Sequence, residues 1–165
     1  MSDSKIKNNN VAMNVDAATS QHYLPNGMPI PVPEADGLSD PYWQGLREGR
    51  LCVQRCAACS TWQFGPEWIC HQCHAFDVAW QDVEPRGTLY SWERVWHPVR
   101  PNLKDHGPYL VILVELPHAG HIRLIGNLLG DPRQEVVIGA AVEGVFEHHN
   151  DAKPPYSLLQ WRYGK

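Results

Sequence analysis

Four cysteines constrain what this chain can fold into more than any other feature. Cys56-Ala57-Ala58-Cys59 and Cys70-His71-Gln72-Cys73 form the pattern C-x2-C-x10-C-x2-C. A two-residue gap lets both thiolates of one turn point at the same ion, and two such turns supply a tetrahedral set of four sulfurs. The ten-residue spacer is short, but Trp62-Gln63-Phe64-Gly65-Pro66 offers a strand and a turn long enough to return the second pair to the first. Cys56, Cys59, Cys70 and Cys73 are therefore read as the ligands of a structural zinc ion.

Four protein ligands leave no open position for water or substrate, so such a metal holds the fold and performs no catalysis. Four thiolates also suit a rubredoxin-type iron, and spacing alone does not separate the two. Zinc is favoured because the motif carries no sign of redox tuning. Knuckles of the iron type usually place glycine beside a cysteine, whereas Ser60 and His74 follow the second cysteine of each pair here. The fifth thiol, Cys52, lies outside both knuckles and is read as a buried or partly buried strand residue. His71 and His74 stand near the second knuckle, but four cysteines already complete the shell. Two tight pairs plus one spare thiol fit a metal in a reducing compartment better than a disulfide framework.

The chain has 165 residues, enough for one domain or two very small ones. A large self-contained catalyst is not expected at that length. Its net charge of −4 tells against strong binding to a phosphate backbone, which needs clustered Lys and Arg. The longest apolar run, Tyr109 to Val114, falls far short of the roughly 18 residues of a membrane helix. Met1–Asn10 lacks the apolar core of a signal peptide. A cytoplasmic protein without a membrane segment is the expectation.

Residues 1–22 show neither helical nor strand periodicity, and the proline-rich stretch Leu24–Pro33 favours an extended arm. Residues 1–38 are thus read as a disordered tail and arm. Residues 39–50 are read as a helical segment: Asp40 can cap the helix start, Pro41 fits its first position, and Gly49 can end it in a left-handed conformation. Tyr42, Trp43 and Leu46 form an apolar stripe on it, either core or docking face.

Leu51–Gln54 reads as a strand feeding the cysteine region, and residues 51–78 as the metal ribbon. From Ala79 the chain becomes a series of strand-like runs: Ala79–Val83, Gly87–Trp96, Tyr109–Leu116, His121–Leu129, Ala141–His148 and Ser157–Tyr163. Tyr109–Val114 is continuously apolar and is expected to be a central strand. Short strands in this number suggest a small closed barrel, because closure removes exposed edges, and an OB-fold barrel over residues 79–165 matches the size. The fold class is mainly β: a short N-terminal helix, a rubredoxin-like zinc ribbon, then a small OB-fold β-barrel.

The order Pro41-Tyr42-Trp43, Gly49-Arg50-Leu51, the two cysteine pairs, Gln63-Phe64-Gly65-Pro66, Trp80, Gly87-Thr88-Leu89-Tyr90-Ser91, Pro108-Tyr109 and Val114-Glu115-Leu116 resembles the acyl-CoA-associated zinc-ribbon/OB-fold proteins, long catalogued as a domain of unknown function. The resemblance runs from about Ser39 to the C-terminal strand. Gly65 stands where members often carry proline, and the first forty residues extend beyond the family core.

What the resemblance implies is work beside a thiolase-fold enzyme subunit, in a hetero-oligomer that makes or breaks carbon–carbon bonds of acyl-CoA thioesters by thiolysis, acyl transfer or retro-aldol cleavage. The partner carries the chemistry, and this chain orders the complex and contributes to acyl-CoA binding at the shared interface. Arg94, Arg100, Lys104 and Arg123 are the cations that can meet CoA phosphates, though loop cations are often simply solvated. Tyr42, Trp43, Leu46 and Trp92 are the candidate interface anchors, each also a candidate core residue. The principal alternative is a module for single-stranded nucleic acid, stacking bases on Tyr90, Trp92 and Trp96. Electron transfer through a tetrathiolate iron is a further one. An independent hydrolase built on His97, Asp105 and His106 rests only on their proximity in a proline-flanked loop.

Overall fold

The computed structural model describes Tyr23 and residues 28–164. The tail assigned to residues 1–22 and the start of the arm after Tyr23 lie outside the described residues. Asp40–Arg47 forms helix α1, with proline in its first turn and Arg47 in its last. Asp40 sits inside the first turn, not at the cap; the cap position is Ser39, whose side chain makes no capping bond. The carboxylate acts there by facing the positive end of the helix dipole. Gly49 at φ 71° turns the chain out of the helix.

Leu51–Cys56 (β1), Trp62–Gln63 (β2) and Val78–Val83 (β3) form an antiparallel sheet in the order β2-β1-β3. The second sheet comprises Arg86–Val95 (β4), Tyr109–Leu116 (β5), Ile122–Asn127 (β6), Ala141–His149 (β7) and Tyr156–Tyr163 (β8), in the order β6-β5-β4-β7-β8. A parallel bridge between Leu128 and Trp161 brings the two ends of this order together, and the Leu129 amide donates to the Trp161 carbonyl at 2.7 Å. The five strands thus form a nearly closed barrel of OB type. Among the described residues no helix is long and apolar enough to cross a membrane.

Strand β5 differs from expectation. Its apolar run is not buried on both faces: Leu110, Ile112, Val114 and Leu116 point into the core, while Tyr109, Val111 and Leu113 are half-exposed. The centre of the sheet order is β4. A barrel has only one interior, so even a continuously apolar strand buries alternate residues. A bulge between Leu89 and Ser91 sharpens the coil of β4 as it passes from β7 to β5. At Gly87 a Cβ would lie 2.2 Å from the Glu115 carbonyl oxygen, so only glycine lets β4 approach β5 this closely.

Helix, ribbon and barrel share one core. Leu46, Leu51 and Val53 cluster with Leu89, Leu124, Leu128, Leu159 and Trp161. Trp62 packs against this cluster from the ribbon side. Behind the helix, Arg50 ties Glu48 to Asp82 of β3, meeting both Asp82 oxygens at 2.7 and 2.9 Å.

Candidate metal centre and its surroundings

The two knuckles repeat one geometry. The Cys56 amide donates to the Thr61 carbonyl and the Cys70 amide to the Ala75 carbonyl; the Ser60 amide returns to Cys56 at 2.8 Å and the His74 amide to Cys70 at 3.0 Å. Each turn therefore closes on its own first cysteine, which forces the residue after the second cysteine into the left-handed region: Ser60 at φ 61° and His74 at φ 60°. Iron-type knuckles favour glycine near this point for the same steric reason.

The left-handed conformation costs a non-glycine residue roughly 1–2 kcal/mol, partly offset by the roughly 0.5–1 kcal/mol of extra chain entropy that glycine loses on folding. Ser60→Gly is accordingly expected to stabilise the metal-loaded chain by about 0.5–1 kcal/mol. A thermal melt showing Tm unchanged or lowered would contradict this.

The four Sγ atoms all lie within 4.8 Å of one another, with Cys56–Cys73 and Cys59–Cys70 both at 3.6 Å. Metal–sulfur bonds of about 2.3 Å in a tetrahedron require sulfurs about 3.8 Å apart. The donor set fits a tetrathiolate metal. Cys56 and Cys70 are buried, whereas Cys59 and Cys73 face solvent, so the ion would sit at the ribbon's edge with its inner half enclosed. Hydrogen bonding with Thr61 holds the Cys59 thiol down to about 6. At Cys73 a lowering backbone bond with Ala75 is outweighed by Cys59, burial and the other two sulfurs, which push it up to about 12. Holding all four sulfurs as thiolates at this distance would take a cation to neutralise them.

Two glutamines that sequence reasoning passed over position the second knuckle. Gln54 and Gln63 are almost fully buried, and Gln63 Nε2 donates to Gln54 Oε1 at 2.9 Å. Gln54 also accepts from the Glu67 amide and donates to the Glu67 carbonyl, while Gln63 accepts from the His71 amide. The pair clamps the loop that carries Cys70 back toward Cys56. The signal was present: a glutamine in register with the buried residues Leu51, Cys52 and Val53 needs partners.

Cys52 is not part of the cluster. Its thiol donates to Asp82 Oδ1 at 3.0 Å, and burial together with that carboxylate raises it to about 11. His71 and His74 lie at the second knuckle outside the four-sulfur set.

The four predicted phosphate-binding cations do not converge. Arg94 lies opposite Leu110 on the core-side face of β4, whereas Arg123 lies opposite Glu115 on the outward face of β6. Arg94 donates to the carbonyls of Pro132 and Gln134 at 2.8 and 2.6 Å, strapping that loop across β4. Arg123 pairs with Glu115 at 3.1 Å and covers the Tyr90 ring at 3.5 Å. Only Arg100 and Lys104, in the loop after β4, are exposed and form no ion pair among the described residues.

The predicted anchors divide as well. Leu46 is 1% exposed and belongs to the chain's own core, which corrects its reading as a docking residue: α1 turns that edge of its stripe onto β1 and β8. Tyr42 and Trp43 are half-buried against the same core and meet edge to face at 5.3 Å. Burial raises the Tyr42 phenol to about 12. Trp92 is 37% exposed and Trp96 is 52% exposed, with the Arg94 guanidinium stacked between them.

Tyr90 occupies the β4 bulge, and Arg123 covers its face, so it forms no continuous stacking platform with Trp92 and Trp96. His97, Asp105 and His106 share the loop after β4 but no hydrogen bond joins them among the described residues.

Residues 43–79 match the ChsH2 rubredoxin-like zinc ribbon domain, and residues 80–147 match the ChsH2 C-terminal OB-fold domain. A solved chain described as an Ltp2-ChsH2(DUF35) aldolase is 30% identical, with a TM-score of 0.67, over 80% of this chain and 98% of that one. The chain belongs to the ChsH2 (DUF35) family.

A second DUF35 structure, of unknown function from Sulfolobus solfataricus, has 15% identity and a TM-score of 0.54 over 77% of this chain and 85% of that one, and shows the shared fold alone. A curated relative from Thermomonospora curvata, named a probable enoyl-CoA hydratase alpha subunit, is 38% identical over 103 residues. That match takes in 61% of this chain and only 30% of the relative's length. The ChsH2 ribbon and barrel boundaries meet between Ala79 and Trp80, within β3, so the strand that ends the ribbon also feeds the barrel.

Proposed function

We propose that this chain is a non-catalytic accessory subunit of an enzyme acting on acyl-CoA thioesters. It forms a hetero-oligomer with a thiolase-fold subunit that carries out the carbon–carbon bond chemistry. The observation that carries the reading is the near-complete coverage, 98%, of a ChsH2(DUF35) chain solved as part of an aldolase. The name of the Thermomonospora relative, an enoyl-CoA hydratase subunit, supports the acyl-CoA class from a second direction.

The four-thiolate site is the metal centre, and its ion is zinc. Zinc when bound supplies structure and no reaction step, because the four sulfurs fill its coordination shell. Gln54 and Gln63 hold the second pair of sulfurs in position, and the Ser60 and His74 amides close the knuckles. Arg100 and Lys104 are the cations available to CoA phosphates, since Arg94 and Arg123 are already bound within the chain. Trp92 and Trp96 form the apolar part of the partner surface, because exposed indoles bury large areas on docking.

Co-expression with the thiolase-fold enzyme tests the reading. The two chains are expected to co-purify, and turnover of an acyl-CoA substrate should depend on this chain. Trp92→Ala is expected to weaken assembly at least ten-fold, on the scale of an interface anchor, with metal content and the fold of the isolated chain unchanged. If the enzyme's activity and oligomeric state are the same without this chain, the proposal fails.

A further inference from the structure

Glu147 is placed where a carboxylate has no ordinary reason to be buried. Along β7 and β8 the pleat sends Phe146, Leu159 and Trp161 into the core. Glu147 and Gln160 alternate with them and so point to the outside of the barrel. Both are nevertheless covered, at 4% and 2% exposed. A charged group on an outer wall that is withdrawn from water needs hydrogen bonds to compensate its lost hydration.

The bonds form a chain across the barrel seam. The Asn127 amide of β6 donates to Gln160 Oε1 at 2.9 Å, and Gln160 Nε2 donates to Glu147 Oε2 at 2.8 Å. The other carboxylate oxygen, Oε1, meets His149 Nε2 at 2.9 Å and accepts the backbone N–H of Tyr23, also at 2.9 Å. Tyr23 comes from 124 residues away in the chain. Its phenol is desolvated by burial and hydrogen-bonds the backbone of Leu110 on β5. One residue of the arm thus touches both sides of the seam, β5 through its ring and β7 through its main chain.

We propose that this wall is a peptide-binding socket that recognises a chain segment by one main-chain N–H, taken by Glu147, and one tyrosine ring, seated beside Leu110. The socket is filled in cis by the chain's own Tyr23. Gln160 and His149 hydrogen-bond the carboxylate and orient it. The site shares no residue with the metal centre, and it does not rest on the function proposed above.

The test uses the full chain in two forms, wild type and Tyr23→Ala, with a labelled synthetic peptide spanning residues 18–26 as the probe. The peptide is expected to bind Tyr23→Ala at least ten-fold more tightly than wild type, in which the socket is already occupied. A peptide with alanine in place of tyrosine should not bind, nor should the intact peptide bind a double variant that adds Glu147→Gln. In wild type, the Tyr23 amide should exchange its hydrogen about 100-fold more slowly than a free chain amide, as a bond to a buried acceptor requires. Equal peptide binding by both forms, absence of binding to a folded Tyr23→Ala chain, or free-chain exchange at Tyr23 overturns the proposal. Protection at Tyr23 that rises with protein concentration assigns the arm to a second copy and overturns the cis assignment.

Discussion

Cys56→Ser is expected to abolish metal binding and to unfold the ribbon, with Cys70→Ser equivalent. These two sulfurs are the buried half of the set, and each anchors its knuckle through amide and carbonyl bonds on the same residue. A serine hydroxyl stays protonated near neutral pH and is a poor substitute for a thiolate. Metal binding in small modules contributes about 10–16 kcal/mol of apparent folding free energy, against a total stability of about 5–15 kcal/mol for a whole domain. No rearrangement of so short a ribbon replaces that.

The loss should also reach the barrel, because Leu51, Val53 and Trp62 belong to or pack on the shared core. Metal analysis of the purified variant and thermal denaturation followed by circular dichroism check both parts. A strong chelator applied to wild type should reproduce the result. A metal-free chain that melts at the wild-type temperature would exclude a structural role for the site.

Trp161→Ala should cost about 3–5 kcal/mol, the range for removing a fully enclosed large aromatic. Trp161 is 0% exposed, and its carbonyl and the adjoining bridge to Leu128 are where the barrel meets itself. Among the described residues its indole N–H has no hydrogen-bond partner, and the backbone at Gly126 passes so near that a Cβ there would lie 2.9 Å from Nε1. A buried unsatisfied donor costs about 1–3 kcal/mol.

Trp161→Phe removes that donor while keeping most of the ring, so the two effects oppose each other and its cost should fall well below that of alanine. Denaturant unfolding of both variants separates the contributions. A phenylalanine variant as unstable as the alanine one would show that the indole's shape, not its burial, closes the barrel.

Much of the architecture was legible because it rests on local chemistry. Paired thiols two residues apart have few physical uses, and strands punctuated by Gly, Pro and Asp report themselves. The expected Tyr109–Leu116 matches β5 residue for residue. Other features were not legible. The stripe Tyr42, Trp43 and Leu46 looks the same in sequence whether it faces a partner or the chain's own core; only the packing of α1 on β1 and β8 sends Leu46 inward. Arg94, Arg100, Lys104 and Arg123 are alike as cations, and only the folded chain separates Arg94 and Arg123, held by carbonyls and by Glu115, from Arg100 and Lys104 in the loop after β4.

The cysteine spacing by itself determined that this chain carries a closed tetrathiolate site, because ligand geometry within a knuckle is set by two intervening residues. The strand rhythm after Ala79 likewise determined a small β-barrel, since alternation and turn residues act over a few positions. Tertiary structure alone decided which face of each element is inside, which cations remain available, and that Tyr23 meets Glu147 across 124 residues. Those outcomes depend on contacts between segments far apart in sequence. No local preference encodes a hydrogen bond whose donor and acceptor meet only after the barrel has closed.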